Sequence, residues 1–181
     1  MKTVVITGMT CSGKSTLVNY MTENMGFHKI VTCTTRKQRK GEKNGKEYYF
    51  ISDDKFEFLK REGKFAETAE YDMTTVHVKY GSLIDSYINS GSKNIIILNP
   101  IGLKAVRQKT DDIYAVYVRT DEQVLRERVT ERGDDAEEFD RRLKADKRDF
   151  ADIEKYVDLI VDGNMETEEI AEMIIKKFSD K

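Results

Sequence analysis

A pattern that binds phosphate lies near the start of the chain. The spacing G-x-x-x-x-G-K-[ST] is filled by Gly8, Gly13, Lys14 and Ser15. It follows an apolar run and precedes a helical pattern, so backbone N–H groups can surround a phosphate at the positive end of a helix. The lysine then reaches the β- and γ-phosphates, and the Ser15 hydroxyl is placed for Mg²⁺. The candidate triphosphate-binding residues are therefore Gly8, Thr10, Cys11, Ser12, Gly13, Lys14, Ser15 and Thr16.

Two arginines in a basic, glycine-punctuated segment form a second candidate anion site. Arg36 and Arg39 lie close together in the sequence, and Tyr48 adds a hydroxyl donor. A guanidinium group binds phosphate through two parallel hydrogen bonds, which an ammonium group cannot do. The segment could therefore hold a monophosphate. The alternative interpretation is a solvated basic loop, because runs of charge are usually solvated.

Further arginines surround a break in a long charged helical region. The region covers residues 121–156 and is interrupted at Gly133-Asp134-Asp135, which indicates a hinge or the tip of a flap. Arginines on a mobile flap suit phosphoryl transfer, which depends on positioning and on stabilising the charge of the moving group. The alternative is a charged exterior helix. The arginines concerned are Arg126, Arg128, Arg132, Arg141, Arg142 and Arg148.

Hydrophobic patterns predict strands that alternate with helices. Short apolar runs are typical of buried parallel strands, and they occur at 4–6, 30–33, 95–98, 113–118 and 159–161. Helical patterns occur at 13–24, 53–62, 83–89, from Pro100 onward and at 166–178. This alternation predicts a parallel sheet with helices on both faces. Further strand patterns at 65–71 and 76–78 predict an insertion packed on the edge of the main sheet.

Length and composition limit the classes of protein. A chain of 181 residues, with 35% charged residues and a mean hydropathy of −0.62, fits one α/β domain with a charged surface. The net charge of −2 gives no general attraction to nucleic acid or anionic membranes. The sequence has neither a membrane-spanning apolar stretch nor a signal-peptide pattern, and its two cysteines lack metal or disulfide spacing. We therefore expect a cytoplasmic protein with small-molecule partners, either a monomer or a homodimer.

The basic segment belongs to a longer pattern that continues towards the middle of the chain. The pattern reads Thr34-Thr35-Arg36-x-x-Arg39-x-Gly41-Glu42-x-x-Gly45-x-x-Tyr48-x-Phe50, then Phe65-x-Glu67, then Tyr80-Gly81-Ser82. With the phosphate-binding loop before it and Arg128-x-x-x-Arg132-Gly133 after it, the order of motifs resembles the guanylate kinase family. The resemblance spans nearly the whole chain, and the long basic pattern is far more specific than the loop.

The resemblance implies an α/β fold with the three-layer, parallel-sheet core of P-loop nucleotide kinases. In this single domain, an inserted small mixed β region at 34–82 would bind GMP and a helical lid would span 125–150. The core would comprise 1–33, 83–124 and 151–181. The implied reaction converts ATP and GMP (or dGMP) into ADP and GDP with Mg²⁺.

The resemblance also implies roles for individual side chains. Glu67 would accept hydrogen bonds from guanine N1–H and the 2-amino group, and Thr32 would donate to guanine O6. The implied GMP-binding residues are Thr32, Arg36, Arg39, Tyr48, Glu67, Tyr80, Ser82 and Asn99. The implied catalytic residues are Lys14, Arg36, Arg132 and Arg142.

Two features depart from the family pattern. Ile97 and Asn99 occupy the places of two aspartates, of which one helps to position Mg²⁺ and the other helps to recognise the guanine amino group. Residues 72–79 are longer than the usual link before Tyr80-Gly81. Two alternatives therefore stay open. One is a kinase of the same fold for another nucleoside or deoxynucleoside monophosphate, and the other is a non-catalytic guanylate kinase-like binding module.

Overall fold

The computed structural model describes residues 3–39, 41–73, 76–88 and 93–179. In chain order the strands are β1 (Thr3–Thr7), β2 (Phe27–Lys29), β3 (Cys33–Thr34), β4 (Tyr49–Phe50), β5 (Phe65–Met73), β6 (Val76–Leu83), β7 (Lys93–Ile97), β8 (Ile113–Arg119) and β9 (Leu159–Asp162). The helices are α1 (Lys14–Asn24), α2 (Asp53–Arg61), α3 (Ile84–Ile88), α4 (Pro100–Arg107), α5 (Glu122–Arg132), α6 (Ala136–Asp149) and α7 (Thr167–Ser179). A short 3₁₀ helix, Ile153–Tyr156, precedes β9.

A parallel sheet of five strands forms the centre, in the order β2-β7-β1-β8-β9. Strand β1 lies in the middle, where Val4 pairs with Ile95 of β7 and with Tyr114 of β8. Helices α1 and α7 cover one face of the sheet, and α4 with the 3₁₀ helix covers the other. All residues of β1 are consequently buried, as is typical of a strand in a sheet that is covered on both faces. The phosphate-binding loop follows the carboxyl end of this strand, which is where ligands bind in open α/β sheets.

A second sheet, with the strand order β4-β3-β6-β5, contains the insertion. Strands β3 and β4 are parallel, whereas β6 pairs in the antiparallel sense with both β3 and β5. Helix α2 begins after Ser52, whose hydroxyl accepts a hydrogen bond from the Lys55 backbone N–H at 3.2 Å. The insertion does not extend the edge of the core sheet; it forms its own sheet, and β5 packs against α4.

Helices α5 and α6 form a hairpin in the region expected to be the lid. Helix α5 ends at Gly133, whose φ of 66° lies in the left-handed region that favours glycine. Asp135 then caps α6 by accepting a hydrogen bond from the Glu138 backbone N–H at 2.9 Å. The predicted break is therefore the turn between two helices. The hairpin has its own apolar interior, formed by Leu125, Val129, Phe139 and Leu143.

The structure confirms the α/β fold class and corrects two predicted strands. The single strand predicted at 30–33 is wrong, because Phe27–Lys29 pairs in the core sheet and Cys33–Thr34 pairs in the insertion. The strand predicted at 76–78 continues to Leu83, since β6 pairs along the whole of β5. The predicted end of the helix at 83–89 lies outside the described residues, as do residues 74 and 75 of the long link. In the described part of the chain, no helix has the length and apolar character that crossing a membrane requires.

Phe56 is expected to contribute strongly to the stability of the insertion. Its side chain is 0% exposed and stacks on Phe65, with ring centroids 4.6 Å apart. Replacing a buried phenylalanine by alanine costs about 3–5 kcal/mol, so Phe56→Ala should lower the urea midpoint of unfolding. The matched control is Phe58→Ala on the same helix, where the residue is 44% exposed and a change within about 0.5 kcal/mol is expected. Equal shifts for the two variants would contradict the role of Phe56.

Candidate active site

A large cavity lies between the phosphate-binding loop, the second sheet and helix α6. Its volume of about 860 Å³ is in the range of ligand pockets. The fold thus brings the candidate triphosphate loop and most of the candidate monophosphate site to one space. The sequence-predicted residues that line it are Gly8, Thr10, Lys14, Thr32, Arg36, Arg39, Tyr48, Glu67, Tyr80, Asn99 and Arg142.

Close backbone contacts shape the phosphate-binding loop. A Cβ on Gly8 would lie 2.5 Å from Ser12 Oγ and 2.8 Å from the Val118 carbonyl oxygen, so a larger residue does not fit there. Gly13, at the start of α1, has a φ of 93°, which side chains other than glycine rarely tolerate. The two glycines of the pattern are therefore required by the shape of the loop.

The Lys14 ammonium group is buried inside this loop. Its Nζ donates hydrogen bonds to the Met9 carbonyl oxygen at 2.5 Å and to Ser12 Oγ at 3.3 Å. Burial lowers the pKa of Lys14 to about 8, although the neighbouring Asp146 carboxylate favours the charged form. A cation in such surroundings is stabilised by an anionic ligand.

A smaller cavity, of about 240 Å³, lies beside the same loop. Arg128 of α5 donates to the carbonyl oxygens of Cys11 at 3.4 Å and of Gly163 at 2.7 Å. Ser15 is exposed at the start of α1 and lines neither cavity. The sequence-predicted residues that line the smaller cavity are Ser12, Gly13, Thr16 and Arg132.

The two candidate lid arginines lie in different places. Arg132 lines the smaller cavity, whereas Arg142 lines the larger one. The structure therefore places the two arginines in different cavities beside the loop. Arg142 is held by Glu138, with Nη2 and Oε1 separated by 2.5 Å.

Glu42 holds Arg36 in place in the larger cavity. Its carboxylate oxygens accept hydrogen bonds from the two Arg36 Nη groups at 2.7 and 2.5 Å, and one of them also accepts from the Arg39 backbone N–H at 2.8 Å. The Arg36 guanidinium lies 4.9 Å from the centroid of the Tyr48 ring. No hydrogen bond of Arg36 to a described residue uses its Nε–H, so this donor remains for a ligand. Glu42 belongs to the basic pattern of the sequence, but the pattern alone does not indicate this function.

Three guanidinium groups approach one another in the larger cavity. Burial lowers the pKa of Arg39, and the like charges of Arg36 and Arg142 lower it further. Converging positive charges repel one another, and a bound anion relieves that repulsion. This part of the cavity is therefore suited to a phosphate group.

Glu67 is a buried carboxylate in the wall of the same cavity. It is 2% exposed, and burial raises its pKa, while the hydroxyl and backbone N–H of Ser82 favour the charged form by donating hydrogen bonds. Ser82 is itself fully buried, does not line the cavity, and also bonds with the Tyr87 hydroxyl at 3.0 Å. The structure thus places Ser82 behind Glu67, where it orients the carboxylate.

Gly102 provides the space for the Glu67 carboxylate against helix α4. A Cβ there would lie 3.1 Å from Glu67 Oε2 and 3.3 Å from Asn99 Oδ1. Asn99 caps the helix, because its Oδ1 accepts a hydrogen bond from the Gly102 backbone N–H at 2.7 Å. Gly102 is not among the residues predicted from the sequence, although a glycine in the first helical turn after Asn99-Pro100 is unusual enough to suggest a close contact.

Comparison with known proteins identifies the family. A family model described as guanylate kinase matches residues 1–178. This chain belongs to the guanylate kinase family. It is similar to proteins named guanylate kinase from Symbiobacterium thermophilum, 34% identical over 141 residues, and from Thermotoga maritima, 31% identical over 182 residues. These alignments cover 75% and 94% of this chain, and 64% and 83% of the respective relatives.

A solved structure agrees with this assignment. The crystal structure of guanylate kinase from Anaplasma phagocytophilum matches with a TM-score of 0.74 at 26% identity, and the match covers 99% of this chain and 85% of that one. The resemblance inferred from the sequence motifs is therefore confirmed, together with the fold that it implied. The family is one of kinases that use ATP.

In this member of the guanylate kinase family, one acidic residue of the cavity lies on helix α6. Ile97 at the end of β7 and Asn99 also line the cavity, at the two positions for which the family resemblance implies aspartates. Asp146 on α6 lines the same cavity, and its Oδ2 accepts a hydrogen bond from the Thr10 backbone N–H at 2.6 Å. Asp146 is not among the residues predicted from the sequence. It lies four residues after Arg142, and this spacing places both residues on one face of a helix.

Glu67→Gln should stabilise the ligand-free protein at neutral pH. Burial raises the pKa of Glu67 in the folded protein above its ordinary value of 4.5. At neutral pH the buried carboxylate is charged, which lowers the free energy of unfolding. Below pH 4.5 the carboxyl group is protonated in both the folded and the unfolded chain, so this destabilisation disappears. The urea midpoint of the variant should exceed that of the parent at about pH 7 and converge with it at about pH 4.

The matched control for this prediction is Glu70→Gln on the same strand. Hydrogen bonds from Lys60 and His77 lower the pKa of Glu70, so its replacement should bring no gain. A lower midpoint for Glu67→Gln than for the parent at neutral pH would contradict the buried charge.

Proposed function

We propose that this protein transfers the γ-phosphate of ATP to GMP or dGMP and thereby forms ADP and GDP or dGDP. One observation carries the proposal. A single cavity is lined by Lys14 of the phosphate-binding loop, by the Arg36 and Arg39 pair, and by the buried Glu67 carboxylate. A triphosphate, a monophosphate and a guanine base, respectively, are the ligands that these groups fit. Membership of the guanylate kinase family supports the same activity.

Glu67 is the residue proposed to recognise the guanine base. A carboxylate accepts hydrogen bonds through two oxygens, and guanine presents N1–H and its 2-amino group side by side, whereas adenine presents neither. Thr32 lines the cavity and is 7% exposed, so that its hydroxyl can donate to guanine O6. Asn99 adds an amide next to Glu67 for the amino group.

The proposed ligands of the acceptor phosphate are two guanidinium groups and two phenols, those of Arg36, Arg39, Tyr48 and Tyr80. The two tyrosine rings meet edge to face, with centroids 5.8 Å apart. Burial raises the pKa of Tyr48, so its phenol stays a hydrogen-bond donor at neutral pH. Charge-assisted bonds from guanidinium groups are the stronger part of such a site.

Phosphoryl transfer would proceed by positioning and by stabilisation of charge. An oxygen of the acceptor phosphate forms a bond to the γ-phosphorus while the bond to the β–γ bridging oxygen breaks, and ADP leaves. Lys14 exchanges its hydrogen bonds to Met9 and Ser12 for bonds to phosphate oxygens. Arg142 stabilises the moving group from the larger cavity and Arg132 from the smaller one, and both help to exclude water.

The donor set fits a divalent cation such as Mg²⁺. The Ser15 hydroxyl is exposed directly after Lys14, and Mg²⁺ prefers oxygen ligands that it shares with substrate phosphates. Across the described ranges, no group of three or more His, Cys, Asp or Glu side chains is arranged to hold a metal. When bound, the cation would neutralise charge on the phosphate oxygens.

A kinase of the same fold for another nucleoside monophosphate is the second candidate. The observation that favours it is Asn99, which replaces a carboxylate and already uses Oδ1 to cap helix α4. Loss of a carboxylate weakens selection for the 2-amino group. A non-catalytic binding module is disfavoured, because Lys14 and both loop glycines are in place.

We propose a cytoplasmic setting, in which ATP and GMP are the partners and neither nucleic acid nor membrane is bound. The free thiols of Cys11 and Cys33 suit a reducing compartment. The division into a GMP-binding region at 34–82, a lid at 125–150 and a core remains a prediction, as does the choice between monomer and homodimer, which light scattering would decide.

A panel of monophosphates decides between the two kinase candidates. GMP, dGMP, AMP, CMP, UMP and dTMP would each be mixed with Mg²⁺ and ATP, and ADP release would be measured. We expect kcat/KM for GMP or dGMP to exceed that for AMP by about 100-fold or more, because a site that is built for hydrogen bonds rejects a base that lacks them. Lys14→Ala is the control that should nearly abolish turnover. Faster turnover of another monophosphate would support the second candidate.

Glu67→Gln should weaken GMP binding far more than ATP binding. Loss of a charged hydrogen-bond acceptor should raise KM for GMP by about 10- to 100-fold, while KM for ATP should change by less than about twofold. Glu62→Gln, at an exposed residue outside the cavity, should leave both constants unchanged. Equal losses for both nucleotides would count against Glu67 as the reader of guanine.

A further inference from the structure

Carboxylates in the larger cavity differ in what they contact. Glu67 is held by Ser82 in the base site, and Glu70 pairs with Lys60 and His77. Of the described carboxylates that line the cavity, Asp146 is the one that hydrogen-bonds the phosphate-binding loop, where its Oδ2 lies 2.6 Å from the Thr10 backbone nitrogen. The carboxylates that line the cavity are Glu67, Glu70, Asp146 and Asp149.

The surroundings of Asp146 leave its negative charge incompletely compensated. Burial raises the pKa of Asp146, although the Thr10 N–H and the Lys14 ammonium group favour the charged form. The like charge of Asp149 raises the pKa as well, and Arg142 lowers it. A divalent cation beside this carboxylate would relieve the penalty.

The strand next to β1 provides no carboxylate for such a cation. P-loop enzymes in general hold Mg²⁺ with the loop Ser or Thr and with an aspartate. Here β7 pairs with β1 and ends at Ile97, and Leu98 and Asn99 follow. Ile97 and Asp146 nevertheless line the same cavity, so that the two elements face a common space.

We propose that Asp146 is the acidic partner of the divalent cation that accompanies ATP, so that helix α6 supplies the carboxylate that β7 lacks. The inference rests on the proposed ATP-dependent function. With the phosphate oxygens, the Asp146 carboxylate would give the oxygen ligands that Mg²⁺ prefers. The competing explanation is that the Asp146 carboxylate only repels the triphosphate. The two explanations predict different effects of Mg²⁺ on the affinity for ATP.

The test compares ATP binding with and without Mg²⁺. Asp146→Asn keeps the size of the side chain and an acceptor for the Thr10 N–H, but it removes the charge. ATP would be titrated calorimetrically into the parent and the variant, once in EDTA and once in excess Mg²⁺. The tightening of ATP binding by Mg²⁺ should shrink about tenfold or more in the variant, which is the usual effect of removing a group that supports a metal. Binding in EDTA should be unchanged or tighter.

Two further variants sharpen the test. Asp140 lies on the same helix, but its side chain is exposed and pairs with Arg126 at 2.6 Å. In Asp140→Asn, the effect of Mg²⁺ on ATP binding should therefore equal that of the parent. Ile97→Asp in the Asp146→Asn background returns a carboxylate to the same cavity from β7. It should restore much of the lost effect of Mg²⁺.

A spectroscopic measurement does not depend on the folding of any variant. In the parent protein with ADP, Mn²⁺ can replace Mg²⁺, and aspartate carboxylates can be labelled with ¹³C. A magnetic coupling between Mn²⁺ and a labelled carboxylate is expected in electron–nuclear double resonance, and its absence would overturn the proposal.

Each remaining outcome of the calorimetry is also decisive. An unchanged effect of Mg²⁺ in Asp146→Asn contradicts the proposal. If Asp146→Asn binds ATP more tightly by the same factor in EDTA and in Mg²⁺, the carboxylate only repels the triphosphate. If the variant loses the same factor of ATP affinity in both solutions, the role of Asp146 is structural. If the parent itself binds no ATP in EDTA or in Mg²⁺, the proposed function fails, which is a different result from any of these.

Discussion

The buried ammonium group of Lys14 is the interaction on which the rest of the site depends. The central strand β1 leads into the loop that surrounds this ammonium group. The pKa of Lys14 falls to about 8 because the group is buried away from water. Carbonyl and hydroxyl oxygens of Met9 and Ser12 accept hydrogen bonds from it, but they carry no full negative charge. A phosphate that enters the loop therefore replaces these neutral acceptors with anionic ones, and it adds to the stabilisation of the ammonium charge that the nearby Asp146 carboxylate already provides.

Carboxylates hold the arginines of the site before any ligand is present. Glu42 fixes Arg36 through both Nη groups, and Glu138 fixes Arg142. A guanidinium group has five N–H donors in a planar fork, so that one edge can pair with a carboxylate while other donors remain for phosphate. Because the side chains are already ordered, less rotamer entropy is lost when a ligand binds. The partly exposed pair of Arg142 and Glu138 therefore matters more for orientation than for stability, to which exposed pairs contribute little.

Local patterns predicted the parts of the structure that local chemistry determines. The phosphate-binding loop needs glycine at two fixed positions, and the alternation of apolar runs with helical patterns determines the parallel sheet. The strand predicted at 30–33 failed because an apolar run does not show where the chain leaves one sheet for another. Asp146 and Thr10 are 136 residues apart in the sequence, so their contact depends on how α6 packs beside the loop. The role of Gly102 on α4 also depends on tertiary packing, because it leaves space for the Glu67 side chain on strand β5 of the second sheet.

Helix α6 carries two charges of opposite sign towards the same cavity, one turn apart, in Arg142 and Asp146. A helix that presented arginines alone would be attracted to any triphosphate. The Asp146 carboxylate beside the loop repels the phosphates of the nucleotide, unless a cation binds together with the nucleotide and compensates their charge. If the carboxylate contacts that cation, the position of α6 and the affinity for the metal are linked, and the linkage must act equally in both directions. An acidic residue on β7 would lie on the strand that pairs with β1, directly beside the loop. A carboxylate on α6 instead would therefore make the affinity for the metal depend on how α6 packs beside the loop.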